Sequence, residues 1–179
     1  RGACAVQTAA DPFWFVCTHL GCDISGYEQC ASVDPLERFV ASLPSDTVAV
    51  AGDFNSYSAM AAPRRMVGAG GWTDLWCHWS NRNACGYWDG CTMPAWLPCQ
   101  RIDYLFVRGP QLVPYQCAVR HLPPPYASDH HPVVADVRCH PHRTRTRDQH
   151  PIEKRSFQTT DSVRPQKGNQ ECSTSTSTS

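Results

Sequence analysis

Long apolar runs are missing from this sequence: none approaches the ~18 residues that cross a bilayer as a helix. An excess of one charge is missing too. Lys+Arg number 16 and Asp+Glu 16, a formal net charge of zero with histidine neutral. Global charge therefore argues for neither a polyanion nor a membrane surface as partner. Eight histidines still leave the charge responsive to mild acid. The opening residues, Arg1-Gly2-Ala3-Cys4, lack the pattern of a signal peptide and lack an initiating Met. A strand-like pattern begins almost at once, so the N-terminus reads as interrupted.

Cysteine is the opposite case. There are 11 in 179 residues, an odd number, yet below the ~8–10% share of a disulfide scaffold. Cys17 and Cys117 fall in strand-like runs, where a thiol serves as a small hydrophobe. Cys77, Cys85, Cys91 and Cys99 cluster between strand candidates and could form two disulfides in a secreted protein. A zinc site would be the other use, but no C-x2-C pair is present. The length suffices for one domain with a real core.

Strand character is read at residues 2–8, 13–18, 47–51, 102–107, 113–119 and 133–137, from β-branched and aromatic runs bounded by Gly or Pro. Asp34-Pro35-Leu36-Glu37 has the form of a helix start, with Asp34 as cap and Pro35 at the first helical position. Leu36, Phe39, Val40 and Leu43 then share one helical face up to Pro44. A short helix is expected over 59–67, stopped by glycine. Trp72–Trp76 should pack, and 77–99 should be an irregular surface segment, a candidate for facing substrate. From Cys139 onward apolar residues nearly vanish and the chain ends in Ser-Thr repeats. Residues 139–179 thus read as a disordered low-complexity tail, with a basic part at 143–155.

Four stretches put polar residues at the edges of apolar strands: Thr18-His19-Leu20, Gly52-Asp53-Phe54-Asn55-Ser56, Arg101-Ile102-Asp103-Tyr104 and Ser128-Asp129-His130-His131-Pro132-Val133. Sheet-based folds collect active-site residues at strand ends in this way. Carboxylates can hold Mg²⁺ against a phosphate, and an imidazole near neutrality can take a proton from water. Each residue also has a plain structural reading. Asp53 to Ser56 and Asp129 suit a turn. His19 suits a satisfied strand end, and Asp103 needs only a partner wherever it is buried. Arg101 and Arg108 read as solvated, and His131 as a variable position.

In this order the four stretches resemble the later motifs of the endonuclease/exonuclease/phosphatase superfamily: a T-H-L strand end, G-D-F-N, R-I-D-Y and S-D-H-x-P-V. The resemblance spans roughly residues 1–138. It implies an α+β fold, the DNase I-like four-layer α/β/β/α sandwich, present here as its C-terminal part. It also implies a Mg²⁺-dependent phosphodiester hydrolase (Mn²⁺ able to substitute), acting on nucleic acid or a phospholipid headgroup. By the resemblance His130 activates water or holds phosphate, and Asp103 fixes the His130 tautomer. Asp53 and Asn55 orient the nucleophile and bind phosphate near the metal. His19 contacts phosphate or assists the leaving group, and Asp129 is a metal-linked carboxylate. The family's early asparagine and metal-binding glutamate have no counterpart before Thr18. Glu28 and Glu37 follow His19 in loop and helix, so neither takes that place. The expectation is a fragment of a larger hydrolase that would bind Mg²⁺ weakly and leave one sheet face uncovered. The alternative is a non-catalytic remnant serving as an interaction module.

Overall fold

Valine alternates with alanine through Val48-Ala49-Val50-Ala51, and this alternation gives the central strand two different faces. In the computed structural model, which describes residues 1–7, 13–80 and 90–140, β1 (Gly2–Gln7), β2 (Trp14–His19), β3 (Val48–Asp53), β4 (Thr73–Asp74) and β5 (Asp103–Arg108) form one sheet in the order β1-β2-β3-β5-β4. The β2–β3 pair is parallel and the others antiparallel. A second, two-stranded sheet holds β6 (Leu112–Val119) and β7 (Val133–Cys139).

One face of the first sheet is closed by α1 (Tyr27–Ala41) and α2 (Ala61–Val67). Val16, Val48, Val50, Tyr104 and Phe106 meet Val33, Leu36, Val40, Ala62 and Met66 there. The other face packs Ala49, Leu105 and Val107 against β6, β7 and α3 (Leu75–Ser80), through Leu75, Trp76, Leu112 and Cys117. That cover is partial. Cys4 pairs with Cys17 and Val6 with Phe15 on this same face, and all four are exposed.

The helix start differs from expectation. Helix α1 begins well before Asp34, and Pro35 lies inside it. The reason is a cap further upstream: the Asp23 carboxylate accepts the N–H groups of Tyr27 (3.3 Å) and Glu28 (3.0 Å), supplying partners to donors a helix start leaves free. Asp34 pairs with Arg65 of α2 instead. Pro35 leaves the Ala31 carbonyl without its helical donor. Gln29, Val33, Leu36 and Val40 are the buried stripe.

Cys117 is buried as expected, but Cys17 is exposed because β6 and β7 do not reach it. Helix α3 was not foreseen; Asp74 starts it by accepting from the N–H groups of Trp76 and Cys77. The segment expected at the surface is partly interior, with Cys91, Thr92 and Ala95 buried around a Met93–Gln100 bridge. Two disulfides among the four clustered cysteines would need Cys99, which is a free, exposed thiol; Cys85 lies outside the described residues. The tail was expected from Cys139, but Cys139 closes β7 by pairing with Leu112; the residues past 140 lie outside the described residues. No described helix is long and apolar enough to cross a membrane.

Candidate functional site

Strand register alone brings three polar residues into one row. His19 is the β2 partner of Asp53, and Asp53 is the β3 partner of Asp103. Directly paired residues on neighbouring strands point to the same face, with β-carbons roughly 5 Å apart. The row lies at the carboxyl ends of β2 and β3, on the face away from α1. Close strand approach requires Gly52 just before it: a β-carbon there would sit 1.9 Å from the Thr18 carbonyl oxygen.

His130 enters this row from the turn before β7. Its Nδ1–H donates to Asp103 Oδ2 at 2.8 Å, and its backbone N–H donates to Ser128 Oγ at 3.1 Å. His19 Nε2 lies 3.3 Å from Asp53 Oδ2. One ligand atom from each of Asp53, Asp103 and His130 lies within 4.8 Å of the others. Asn55 stands beside them in a left-handed backbone conformation, φ 48°, which asparagine tolerates better than most residues. Its N–H donates to Asp53 Oδ1 (2.7 Å), and its Nδ2 donates to the Leu20 carbonyl (3.2 Å). Asp129 stands apart. Its side chain is exposed and outside the three-residue cluster, though its charge reaches His130.

The charges in this cleft are unbalanced, and the titration directions express that. Burial pushes the Asp53 carboxyl above its ordinary value, and the Asp103 charge adds to the push; the Asn55 N–H and the two imidazoles oppose it. For His130, burial alone would depress the imidazole. The Asp103 hydrogen bond and the charges of Asp103, Asp53 and Asp129 outweigh it and raise the pKa above the ordinary value. The two carboxylates of Asp53 and Asp103, close together with an open side toward solvent, form a donor set suited to a hard divalent cation. His130 is the third member of that set.

Residues outside the expected set hold the geometry. Phe54 is wholly buried edge-on against the stacked Tyr104 and Phe106 rings, with centroids 5.3 and 5.2 Å away. The Tyr104 hydroxyl lies 2.8 Å from the Ser56 carbonyl, closing the far end of the Gly52–Ser56 turn. Thr92, also wholly buried, accepts the Asp103 N–H on its hydroxyl, and its carbonyl accepts the His131 N–H. His131 is therefore no free position: it is 4% exposed, and its Nδ1 accepts the Leu122 N–H at 3.2 Å. Arg101 also departs from its solvated reading. It is 5% exposed and grips Asp74 with both terminal nitrogens. Arg108 is half-buried over the Trp72 ring and bonded to Glu37. A cavity of about 690 Å³ opens beside the His130–Asp103 pair, with Leu122, Pro125 and Tyr126 on its far wall.

Comparison with known proteins agrees with this geometry. The sequence profile of the Endonuclease/Exonuclease/phosphatase family matches residues 5–130, and the chain belongs to that family. No curated protein matches it. Solved structures with the same fold include the human Nocturnin catalytic domain with bound sulfate (17% identity, 77% of this chain and 52% of that one, TM-score 0.58). Another is Danio rerio TDP2 complexed with single-strand DNA product (21% identity, 74% and 59%, TM-score 0.54). A third is a mannosyl-6-phosphatase of Bacteroides thetaiotaomicron (18% identity, 72% and 52%, TM-score 0.50). The chain thus spans between 52% and 59% of the length of these neighbours. The architecture is the α+β, DNase I-like one that the motifs imply.

Proposed function

We propose that this chain carries the histidine-bearing part of a Mg²⁺-dependent phosphodiester hydrolase. The observation behind the reading is the His19–Asp53–Asp103–His130 row, four groups from four separate stretches of sequence meeting at one sheet end. The Asp103 carboxylate holds His130 Nδ1–H, which leaves Nε2 as the free base facing the cleft. That nitrogen takes the proton of the attacking water. His19 and the second N–H of the Asn55 amide are donors for phosphate oxygens, and Asp53 orients the nucleophile. Asp53, with Asp103 beside it, would hold the metal together with the Asn55 amide; Asp129, exposed and outside that cluster, would join them only by a movement of its turn, and Mn²⁺ would take the same oxygen donors. Bound there, a divalent ion would offset the charge that builds on the phosphate in the transition state.

The substrate class is a phosphodiester in nucleic acid or a phospholipid headgroup. The neighbours include one with a DNA product, one with sulfate and one named for a sugar phosphate, so the fold does not select among them. A Mg²⁺-supplemented panel of abasic DNA, RNA, sphingomyelin and a phosphoinositide tests the reading. Turnover of one member, lost on chelation and on His130→Ala, is the expected result; turnover unchanged by His130→Ala refutes the assignment. A second reading, a non-catalytic interaction module, draws on the chain's spanning little more than half of its neighbours. It predicts no turnover by these 179 residues on any member of the panel.

A further inference from the structure

We propose that Gln29 is a positioning residue for this site, acting through the Asn55 peptide on the Asp53 carboxylate; the proposal rests on the catalytic reading of Asp53 and Asn55. Gln29 lies in the first turn of α1, on the stripe otherwise made by Val33, Leu36 and Val40. It is 1% exposed. Side chains in a helix lean toward its N-terminus, which carries this amide back over the loops that end β2 and β3.

Both of its N–H groups are used. Nε2 donates to the Asp23 carbonyl at 3.0 Å and to the Asn55 carbonyl at 3.1 Å. The opposite amide orientation would set Oε1 against two carbonyl oxygens, so the network itself assigns the nitrogen. Oε1 is buried with no partner. A glutamine whose oxygen is orphaned is a poor choice for helix packing alone, and an apolar side chain would suit the stripe better. What an apolar side chain cannot do is hold a carbonyl.

The held carbonyl belongs to the residue with φ 48°. Gln29 grips the peptide after the Asn55 α-carbon. Asp53 Oδ1 grips the peptide before it, at 2.7 Å. Together they fix both dihedrals of a residue that would otherwise relax out of the left-handed region. The same two bonds set one oxygen of the Asp53 carboxylate and leave Oδ2 toward His19. Asn55 Nδ2 meanwhile reaches the Leu20 carbonyl, and Leu20 N–H reaches the Asp53 carbonyl at 2.9 Å. Gln29 thus joins the loop after β2, through Asp23, to the loop after β3, through Asn55.

Gln29→Met keeps an unbranched side chain of similar length and removes both donors. In the 179-residue protein, the Asn55 amide should exchange with solvent about tenfold faster or more, while amides within α1 keep their protection. On the substrate found by the panel, kcat should fall about 10–100-fold with KM nearly unchanged, as expected when a reacting group is misplaced. In an Asp53→Ala background the same replacement should cost almost nothing further in rate, because the effect reaches the chemistry through the Asp53 carboxylate that the Asn55 N–H holds. Val33→Ala, on the same stripe, is the control: it lowers Tm but leaves Asn55 exchange and kcat in place. Unchanged Asn55 exchange in Gln29→Met, or an equal loss of rate with and without the Asp53 carboxylate, overturns the proposal. If the wild-type protein turns over no substrate, the catalytic reading fails, and the exchange measurement still decides whether Gln29 holds Asn55.

Discussion

Arg101 and Asp103 stand on either side of Ile102, and each belongs to an acid–base pair; the two pairs differ in every physical respect. Asp74 and Arg101 are 7% and 5% exposed and bonded through both guanidinium ends. The pair is neutral, closed, and tied to the start of α3, because Asp74 also takes the N–H groups of Trp76 and Cys77. Asp103 and His130 keep side chains 21% and 23% exposed, share one hydrogen bond, and face a second carboxylate, Asp53, across the cleft. A buried pair whose charges cancel carries no surplus charge to offer a ligand. An open pair with surplus negative charge and a free imidazole nitrogen can bind a cation and move a proton.

The comparison can be broken from the open side first. His130→Ala should lower turnover by about 10²–10⁴-fold with the fold intact, the range for a lost general base; near-wild-type turnover would erase the distinction between the pairs. From the closed side, Asp74→Ala leaves a buried guanidinium unpaired and should cost about 3–5 kcal/mol. Thermal unfolding would show that as a Tm lower by roughly 10 °C or more. Replacing the pair together, Asp74→Leu with Arg101→Met, should recover most of it. If the single replacement is neutral, the pair is not structural.

Metal sharpens the contrast more gently. Mg²⁺ at about tenfold above its dissociation constant should stabilise the protein by about 1.4 kcal/mol, read as a rise in Tm. Asp53→Asn should remove that rise, and Arg101→Met should leave the response to Mg²⁺ unchanged. The smallest expected effect is on titration. The His130 pKa is raised above 6.5, so the fold favours its cation. That contribution to stability is full below the unfolded value and is lost as pH rises through the folded one. A general base must be neutral, so turnover should climb through the same folded pKa, above pH 6.5. Asp53→Asn removes a charge that raises it, and the imidazole midpoint measured by NMR should move down. An upward move would contradict the charge balance described for the cleft.

Much of this architecture was legible before any fold was known. The β-branched and aromatic runs marked six of the seven strands among the described residues, because period-two burial leaves a local trace. The polar residues at their ends could be picked out for the same reason: His19, Asp53 and Asp103 interrupt apolar runs. The early start of α1 was hidden because Asp34-Pro35 carries a stronger local start signal than Asp23, whose carboxylate acts from outside the helix. Arg101 and His131 were read as solvated or variable because nothing in their neighbours announces burial; their partners, Asp74 and Leu122, are distant or loop residues. A glutamine one turn before Val33, on the Val33–Leu36–Val40 stripe, was a signal for Gln29 that only a helix start at Tyr27 makes visible.

By itself, then, the sequence determined which segments become strands, which polar residues end them, and the family to which those motifs belong. These are properties of short windows, where propensity and periodicity act. Only the tertiary structure decided that His19, Asp53 and Asp103 share one row, that His130 and not His131 turns toward them, and that Arg101 is sealed while Asp103 stays open. Those outcomes depend on strand register and on the packing of segments tens of residues apart, and burial decides whether a charge is cancelled or left available.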